Sequence, residues 1–377
     1  MQVATATASE ESLTSEVTSL ESFLALQPEW NRLCSGVKDE PFHRHEFLQA
    51  HLESFHAGAP LRILIRRGRD RGLAAALAVA PSRGLMCGVP VRRLVSLSNA
   101  HSCRFDLLAG DPGRDAAALL GHLLRGPWWD VLILKDVPQG GLGWRLLEEA
   151  ARAGLPVGTW LSQRSPRMDL PPDPETLLSG LPTAFRQNLR RRRRRLEERG
   201  PVRMERVDGG PGLSERLSAC LAVESQGWKG RLGTAIAQDR QVRAFYDRLA
   251  AAAAGHGYLS LYVLFLEERV VAFQYGLTYG GTYYLPKLAY DESLSECSPG
   301  LLLFQLVLED CIRRGLRRVD FLGDATEWKL RWTRETLPHH WLYVFRDTRL
   351  GRGLHRAKFA WLPSFKRSLP WLRRTRL

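Results

Sequence analysis

The stretch YYLPKLAYDESLSECSPGLLLFQLVLEDCIRRGLRRVDFLGDATEWK, residues 283–329, decides the fold that the chain is expected to adopt. An apolar strand over 283–290 leads through a Ser-Pro-Gly turn at 298–300 into an apolar helix over 301–314, and a second strand follows at 318–323. A strand and a glycine turn that open a helix present free backbone N–H groups, which commonly bind phosphate. The stretch therefore predicts an α/β unit that can hold a phosphate-bearing cofactor.

Length and composition indicate a globular protein of more than one domain. The chain has 377 residues, of which 44% are hydrophobic and 25% charged, so two domains are expected. No apolar run approaches the roughly 20 residues that span a bilayer. Residues 1–15 lack the basic start and apolar centre of a secretory signal, which predicts a cytoplasmic location.

The distribution of charge and the spacing of the cysteines indicate which kinds of partner and ligand to expect. Of the net charge of +14, residues 181–200 carry +6 and residues 346–377 carry +9, so the rest of the chain is close to neutral. Two basic patches on a neutral body favour local contacts with anionic partners over a protein built around a polyanion. The six cysteines are scattered without zinc-ligand spacing, and we expect free thiols and no metal.

Changes in the hydrophobic period divide the chain. Prolines in residues 165–174 mark a join between two α/β segments. The predicted parts are a flexible leader (1–18), a first domain (19–165), a second domain (166–346) and a basic, aromatic-rich tail (347–377).

The order strand, helix, strand occurs twice, at residues 105–137 and at residues 283–323. Two copies of one α/β unit fit the length of the chain. The same order also occurs in many unrelated folds, so the pattern leaves duplication open.

Seven short motifs in the second half follow one another in a set order: FRQNLR (185–190), ESQGWKG (224–230), FY (245–246), KLAYD (287–291), SPG (298–300), DFLG (320–323) and WK (328–329). In that order they resemble the CelD-type acetyltransferases of the GNAT superfamily, which are associated with bacterial cellulose and exopolysaccharide biosynthesis. The resemblance extends over roughly residues 40–346.

The resemblance implies two tandem GNAT-like domains, similar to the Fem-type peptidoglycan aminoacyltransferases. The expected fold class is α/β (α+β), with a mixed, largely antiparallel sheet flanked by helices in each domain. The second copy would bind acetyl-CoA or another acyl-CoA, and the acceptor would attack the thioester directly. The usual pyrophosphate loop of the superfamily is reduced here to the Ser-Pro-Gly turn.

Cofactor binding is predicted for Lys287, Ser298, Gly300, Leu301 and Leu302. Ser298 stands near the N-cap position, and the amides of the next residues would face a pyrophosphate. The alternative is an ordinary helix start.

Three residues are candidates for proton transfer: Glu224, Asp320 and Tyr290. Glu224 shares a helix face with Trp228, and its alternative is a surface carboxylate. Asp320 lies in an apolar strand, where an ionised carboxylate is costly unless it is paired, and Lys287 is a plausible structural partner. Tyr290 could protonate the departing thiolate, although strand tyrosines are more often packing residues.

Substrate binding is predicted for Arg186, Trp228, Lys229, Trp328 and Lys329. Adjacent Lys and Trp side chains can line a sugar or acyl pocket by hydrogen bonding and stacking, and core tryptophans with solvated lysines are the alternative. The arginine run at 190–195 either forms a solvated face or contacts the 3′-phosphate of CoA, an anionic glycan, a nucleotide-sugar or RNA.

The leading hypothesis is an acyl-CoA-dependent N- or O-acyltransferase that acts on a sugar or polysaccharide precursor. The tail could contact an anionic membrane surface at the inner face, or pack on the body. One alternative is a Fem-like transferase that uses aminoacyl-tRNA, the only case in which nucleic acid is expected. Another is a non-catalytic member that binds a polysaccharide-synthesis complex or a membrane.

Overall fold

The computed structural model describes residues 13–37 and 40–361, which contain one 13-stranded sheet flanked by helices. The strands are β1 (Thr14–Val17), β2 (Arg62–Arg67), β3 (Leu73–Met86), β4 (Val89–Ser96), β5 (Leu108–Ala109), β6 (Val131–Pro138), β7 (Val157–Asp169), β8 (Val202–Val207), β9 (Leu259–Leu266), β10 (Arg269–Tyr279), β11 (Thr282–Tyr290), β12 (Arg318–Asp320) and β13 (Thr336–Phe345). The sheet is mixed and mostly antiparallel, so the predicted fold class is confirmed.

The helices connect and cover these strands. They are α1 (Leu20–Leu24), α2 (Gln27–Val37), α3 (His45–Phe55), α4 (Pro112–Arg125), α5 (Gly143–Arg152), α6 (Pro174–Gly180), α7 (Thr183–Glu197), α8 (Leu213–Gln226), α9 (Trp228–Arg231), α10 (Arg240–Gly255), α11 (Pro299–Arg313), α12 (Glu327–Leu330) and α13 (Arg349–Arg356). Within the described ranges, no helix is both long and apolar enough to cross a membrane.

The two halves of the sheet repeat one pattern. Strands β1 to β4 pair antiparallel in sequence order and β6 then pairs parallel to β4, while β8 to β11 pair antiparallel and β12 pairs parallel to β11. Helices α4 and α11 lie in the two parallel crossovers. The prediction took residues 105–109 as the first strand of the first copy, and this was wrong. The short β5 there pairs antiparallel with β3, and β4 supplies the parallel partner.

The two halves of the sheet exchange one strand each. Strand β7 follows the first half but pairs with β12, and β13 follows the second half but pairs with β6; β7 and β13 also pair with each other. The predicted boundary between residues 165 and 166 therefore lies inside β7.

Several predicted element boundaries differ from those of the structure. Pro182 separates α6 from α7, because proline disfavours a helical conformation at the residue before it. Strand β1 lies inside the predicted leader, where it pairs with β2. In the predicted tail, α13 forms after Thr348, and residues 362–377 lie outside the described residues.

Aromatic side chains join the halves beneath the sheet. Phe47 of α3 meets Phe245 of α10 with ring centroids 5.7 Å apart, and Phe42 meets Tyr284 of β11 at 5.2 Å. All four rings belong to one buried cluster, so the two halves share part of a core.

The burial of three histidines predicts that the fold loses stability in acid. Burial lowers the pKa of His51 to about 3 and of His101 and His339 to about 4. Below pH 6.5 the unfolded chain protonates these rings while the fold keeps them neutral, so stability is expected to fall as the pH drops from 6.5 to 4. On unfolding at pH 5 these three rings should take up about three protons, in addition to uptake by His45, His56 and His340, whose pKa burial also lowers. Urea unfolding at pH 7, 6 and 5 measures this uptake. A His339→Gln variant should flatten this pH dependence by about one proton, and an unchanged slope would contradict the assignment.

Candidate functional site

A cavity of about 720 Å³ opens where strands β11 and β12 separate. The two strands pair only over residues 282–284 and 318–320, and residues 285–290 and 321–323, beyond the paired region, line the cavity. A bulge places Leu285 and Pro286 of β11 opposite the single residue Gly276 of β10. Bulges bend a strand and change the direction of its side chains.

Most of the predicted site residues lie on this cavity. Those that line it are Glu224, Trp228, Lys229, Lys287, Tyr290, Ser298, Gly300, Leu301, Trp328 and Lys329. Asp320, Leu302 and Arg186 are not among its lining residues. These three residues therefore do not lie on the wall of the cavity that the other predicted site residues line.

The start of helix α11 presents one free amide to the cavity rather than three. The amides of Leu301 and Leu302 donate to the carbonyl of Ser298 at 3.0 and 3.2 Å. Ser298 has a positive φ of 47°, and its hydroxyl does not cap the helix. Within the described residues the amide of Gly300 has no hydrogen-bond acceptor. Pro299, which carries no N–H, precedes it.

The arginine helix α7 brings a cation to this helix start. The guanidinium of Arg192 donates to the hydroxyl of Ser298 and reaches the carbonyls of Ser295 and Glu296 at 3.4 Å. A cation and a helix N-terminus at one place both attract anions.

The other arginines of the run lie on the outer side of α7. Arg193 and Arg194 pair with glutamates four residues further along the helix. Arg190, Arg191 and Arg195 are exposed and make no ion pair within the described part of the chain.

The corresponding helix start in the first half carries two carboxylates. Helix α4 begins with Pro112-Gly113, as α11 begins with Pro299-Gly300. The carboxylate of Asp111 accepts from the amide of Arg114 at 3.3 Å, and that of Asp115 accepts from the amide of Asp111 at 2.9 Å. These carboxylates put negative charge at the start of α4, which repels a ligand anion, whereas the first turn of α11 has no acidic residue. The repeated Pro-Gly pair is a sequence signal of the duplication that the predictions missed.

Glu224 forms a buried ion pair on the cavity wall. Its side chain is 1% exposed, and one oxygen lies 2.6 Å from Nζ of Lys229. The other oxygen accepts from the amide of Ile236 at 2.9 Å. Lys229 also donates to the carbonyl of Leu288 at 3.2 Å, which connects α9 to β11.

Asp320 pairs with the first half of the chain and not with Lys287. One carboxylate oxygen lies 2.6 Å from Nη2 of Arg104, and the other accepts from the amide of Leu322 at 2.9 Å. Nη1 of Arg104 lies 2.9 Å from Glu40, and the Arg104 side chain is 3% exposed. Since Arg104 is more than two hundred residues away in sequence, local spacing could not reveal this partner.

Two further lysines, Lys329 and Lys287, line the cavity and differ in their hydrogen bonding. Lys329 donates to the carbonyls of Leu322 and Asp324, and burial lowers its pKa to about 8. Burial also lowers the pKa of Lys287, whose Nζ lies 5.9 Å from the centroid of the Tyr246 ring. Lys287 makes no hydrogen bond or ion pair within the described residues.

The first half supplies one wall of the cavity, which the sequence predictions missed. Its lining residues are Asn99, Ala100, Cys103, Asp136 and Gln163. Burial raises the pKa of the Asp136 carboxyl, which accepts from Nε1 of Trp341 at 3.1 Å. Burial also raises the pKa of the Cys103 thiol to about 11. The motifs lie in the second half, so the sequence offered no signal for this wall.

Comparisons with known proteins agree with this geometry. Residues 183–330 match the family model described as an acetyltransferase (GNAT) domain. That segment contains α7, the bulged strand β11 and the open start of α11. Residues 183–330 are therefore a GNAT-type acetyltransferase domain, and the prediction of an acyltransferase is confirmed at that level. No curated protein sequence matches it.

Several solved structures share its fold. FemX superposes with a TM-score of 0.56 at 10% identity, covering 89% of this chain and 98% of FemX. L-PGS from Bacillus licheniformis gives 0.51 at 12% identity, covering 88% and 94%. A conserved protein of unknown function from Bacteroides thetaiotaomicron gives 0.53 at 12% identity, covering 88% and 99%. The likeness to a Fem-type protein was predicted, and at these identities it shows the fold alone.

Within the described ranges, no three His, Cys, Asp or Glu side chains are placed so that they could hold a metal ion.

Proposed function

We propose that the protein transfers an acyl group from acyl-CoA to an amine or hydroxyl by direct attack on the thioester. The open start of α11 carries this proposal, because the free amide of Gly300 on the cavity wall and the guanidinium of Arg192, which is hydrogen-bonded to the cavity-lining Ser298, would together attract an anion. The matching helix start of the first half carries the carboxylates of Asp111 and Asp115, which disfavour an anion there and support one donor site per chain.

The splayed strand supports a binding mode for the rest of the donor. Residues 285–290 of β11 have no strand partner on the side facing the cavity. Backbone groups at such an edge can pair with the amides of an extended ligand. The ring of Tyr290 lies 3.0 Å from where a Cβ of Gly300 would be, at the phosphate end of the donor. We therefore propose that Tyr290 shapes the phosphate site and does not protonate the thiolate.

Glu224 is the better of the two predicted bases. It lines the cavity, whereas Asp320 is held by Arg104 away from it. We propose that the acceptor, once bound, approaches Glu224 and Lys229, and that the carboxylate takes the proton from the nucleophile.

The acceptor is proposed to be a sugar or a polysaccharide precursor, in keeping with the CelD-type resemblance. Trp228 and Trp328 both line the cavity, and each has the ammonium of the following lysine about 6 Å from its ring centroid. Trp228 is 52% exposed, which leaves a ring available for stacking on a ligand.

A second candidate function is Fem-like transfer from aminoacyl-tRNA. The observation that favours it is the outer face of α7, where Arg190, Arg191 and Arg195 are exposed without ion pairs. Such a face could hold a polyanion beside the cavity.

We place the enzyme in the cytoplasm, with peripheral contact at a membrane surface. Trp160 and Trp361 are 45% and 60% exposed, and Arg349 and Arg356 are exposed nearby in sequence on α13. Exposed tryptophans beside cations are typical of segments that lie on anionic lipid surfaces.

Titration of the purified protein separates the two donors. We expect acetyl-CoA to bind with micromolar affinity and tRNA to bind only weakly. No binding of CoA together with salt-sensitive binding of tRNA would contradict the proposal and support the second candidate.

A further inference from the structure

With one exception, the charged side chains that line the cavity have an ion-pair or hydrogen-bond partner among the described residues. Glu224 pairs with Lys229 inside the cavity, while Glu292 and Arg331 pair with Arg231 and Glu327. Lys329 is held by two backbone carbonyls and Asp136 by an indole N–H. Lys287 remains as a cavity-lining cation without a hydrogen-bond partner in the described part of the chain.

The position of Lys287 makes this exception meaningful. It follows the Leu285–Pro286 bulge, which directs its side chain into the cavity. Its electrostatic neighbours are the thiol of Cys103 from the first half and the Glu224–Lys229 pair, which is already neutral overall. An ammonium that has lost hydration and has no counter-ion is costly, and an anion supplied by a ligand would offset that cost.

We propose that Lys287 binds a carboxylate or phosphate of the acceptor, so that the acceptor belongs to the class of anionic sugars. This inference rests on the proposed acyl transfer. This replaces the cofactor-binding role that the sequence predicted for Lys287. The proposed site of the donor phosphates is at Gly300 and Arg192, whereas Lys287 lies near Cys103 on the wall contributed by the first half. Neutral amino sugars would leave the Lys287 ammonium unpaired and would bind more weakly.

Cys103 allows the anion site to be tested without knowing the acceptor. Iodoacetate and iodoacetamide alkylate the same thiol but differ by one negative charge. Cys87 is exposed and serves as an internal reference, because the remaining described cysteines are buried. The ratio of the two rates at one cysteine cancels any difference in thiolate content between variants.

The expected result is a ratio of iodoacetate to iodoacetamide about fivefold higher at Cys103 than at Cys87, the factor that one charge pair in contact gives in a water-like dielectric. Lys287→Met should bring the two ratios to within about twofold, and Lys287→Arg should restore the preference. Equal ratios at the two cysteines, or no effect of Lys287→Met, would overturn the proposal. If Cys103 reacts with neither reagent, acetylation of Lys287 by acetic anhydride decides the question. Added inorganic phosphate should slow it, and no protection would overturn the site.

Binding of CoA assigns the anion to acceptor or donor. Lys287→Met should leave the affinity for CoA within about twofold of wild type, and a loss of tenfold or more would assign Lys287 to the donor phosphates and overturn the inference. Failure of the wild-type protein to bind CoA would refute the proposed donor, while the alkylation ratio would still report on the anion site. The two proposals can therefore fail separately.

Discussion

Replacing Arg104 with methionine is expected to lower the free energy of unfolding by about 3–5 kcal/mol. The guanidinium lies between Glu40 and Asp320 at 2.9 and 2.6 Å, and its side chain is 3% exposed. Removing it takes away the counter-ion of Asp320, whose carboxylate is nearly fully buried, and one of the ion-pair partners of Glu40. The break falls where the two halves of the sheet meet, so neither half can relax without moving the other.

Arg331→Met is the matched control for this loss. Arg331 also pairs with a carboxylate, that of Glu327 at 2.6 Å, but the two side chains are 46% and 86% exposed. Exposed pairs contribute about 0–1 kcal/mol, so urea unfolding should barely distinguish this variant from wild type. Equal losses in the two variants would show that the buried network at Arg104 has no special role.

Replacing Gly300 with valine is expected to weaken binding of acetyl-CoA at least tenfold, or by about 1.4 kcal/mol. A Cβ at this position would lie 3.0 Å from Cδ1 of Tyr290, so the ring would have to move into the space beside the free amide. The substitution should leave the fold intact because Tyr290 is only partly buried. Isothermal titration of acetyl-CoA measures the effect directly.

Gly113→Val is the control that the internal repeat provides. Gly113 follows a proline at the start of α4, as Gly300 does in α11, and a Cβ there would have no other atom within 4 Å. Affinity for acetyl-CoA should stay within about twofold of wild type. Unchanged affinity in the Gly300 variant would remove the donor site from α11, and equal losses in both variants would indicate an effect on the fold.

Local pattern was sufficient to predict the elements of the second half. The helix predicted over 301–314 is found as α11, which begins two residues before the predicted start. The pairing of β13 with β6 could not be predicted, because an exchange of strands between halves depends on contacts more than two hundred residues apart. Residues 105–109 were assigned to the wrong strand pair because an apolar run does not specify its partner.

Some residues of the candidate site could likewise be predicted from local sequence, and others could not. Glu224, Lys287 and Gly300 stood in motifs and lie on the cavity, whereas Cys103 and Asp136 had no motif and reach it only through the association of the halves. Lys287 from the neighbouring strand was a plausible structural partner of Asp320 in the sequence. Arg104 takes that place, which leaves Lys287 without an ion pair within the described residues.

The amide resonance of Gly300 tests the central claim most directly. In protein labelled with ¹⁵N-glycine, adding CoA should shift this resonance and slow its hydrogen exchange, because the free amide would donate to a phosphate oxygen. The resonance of Gly113 should stay in place, since carboxylates disfavour an anion at the start of α4. A Gly300 resonance that does not respond to saturating CoA, or a response at Gly113 instead, would contradict the assignment of the donor site.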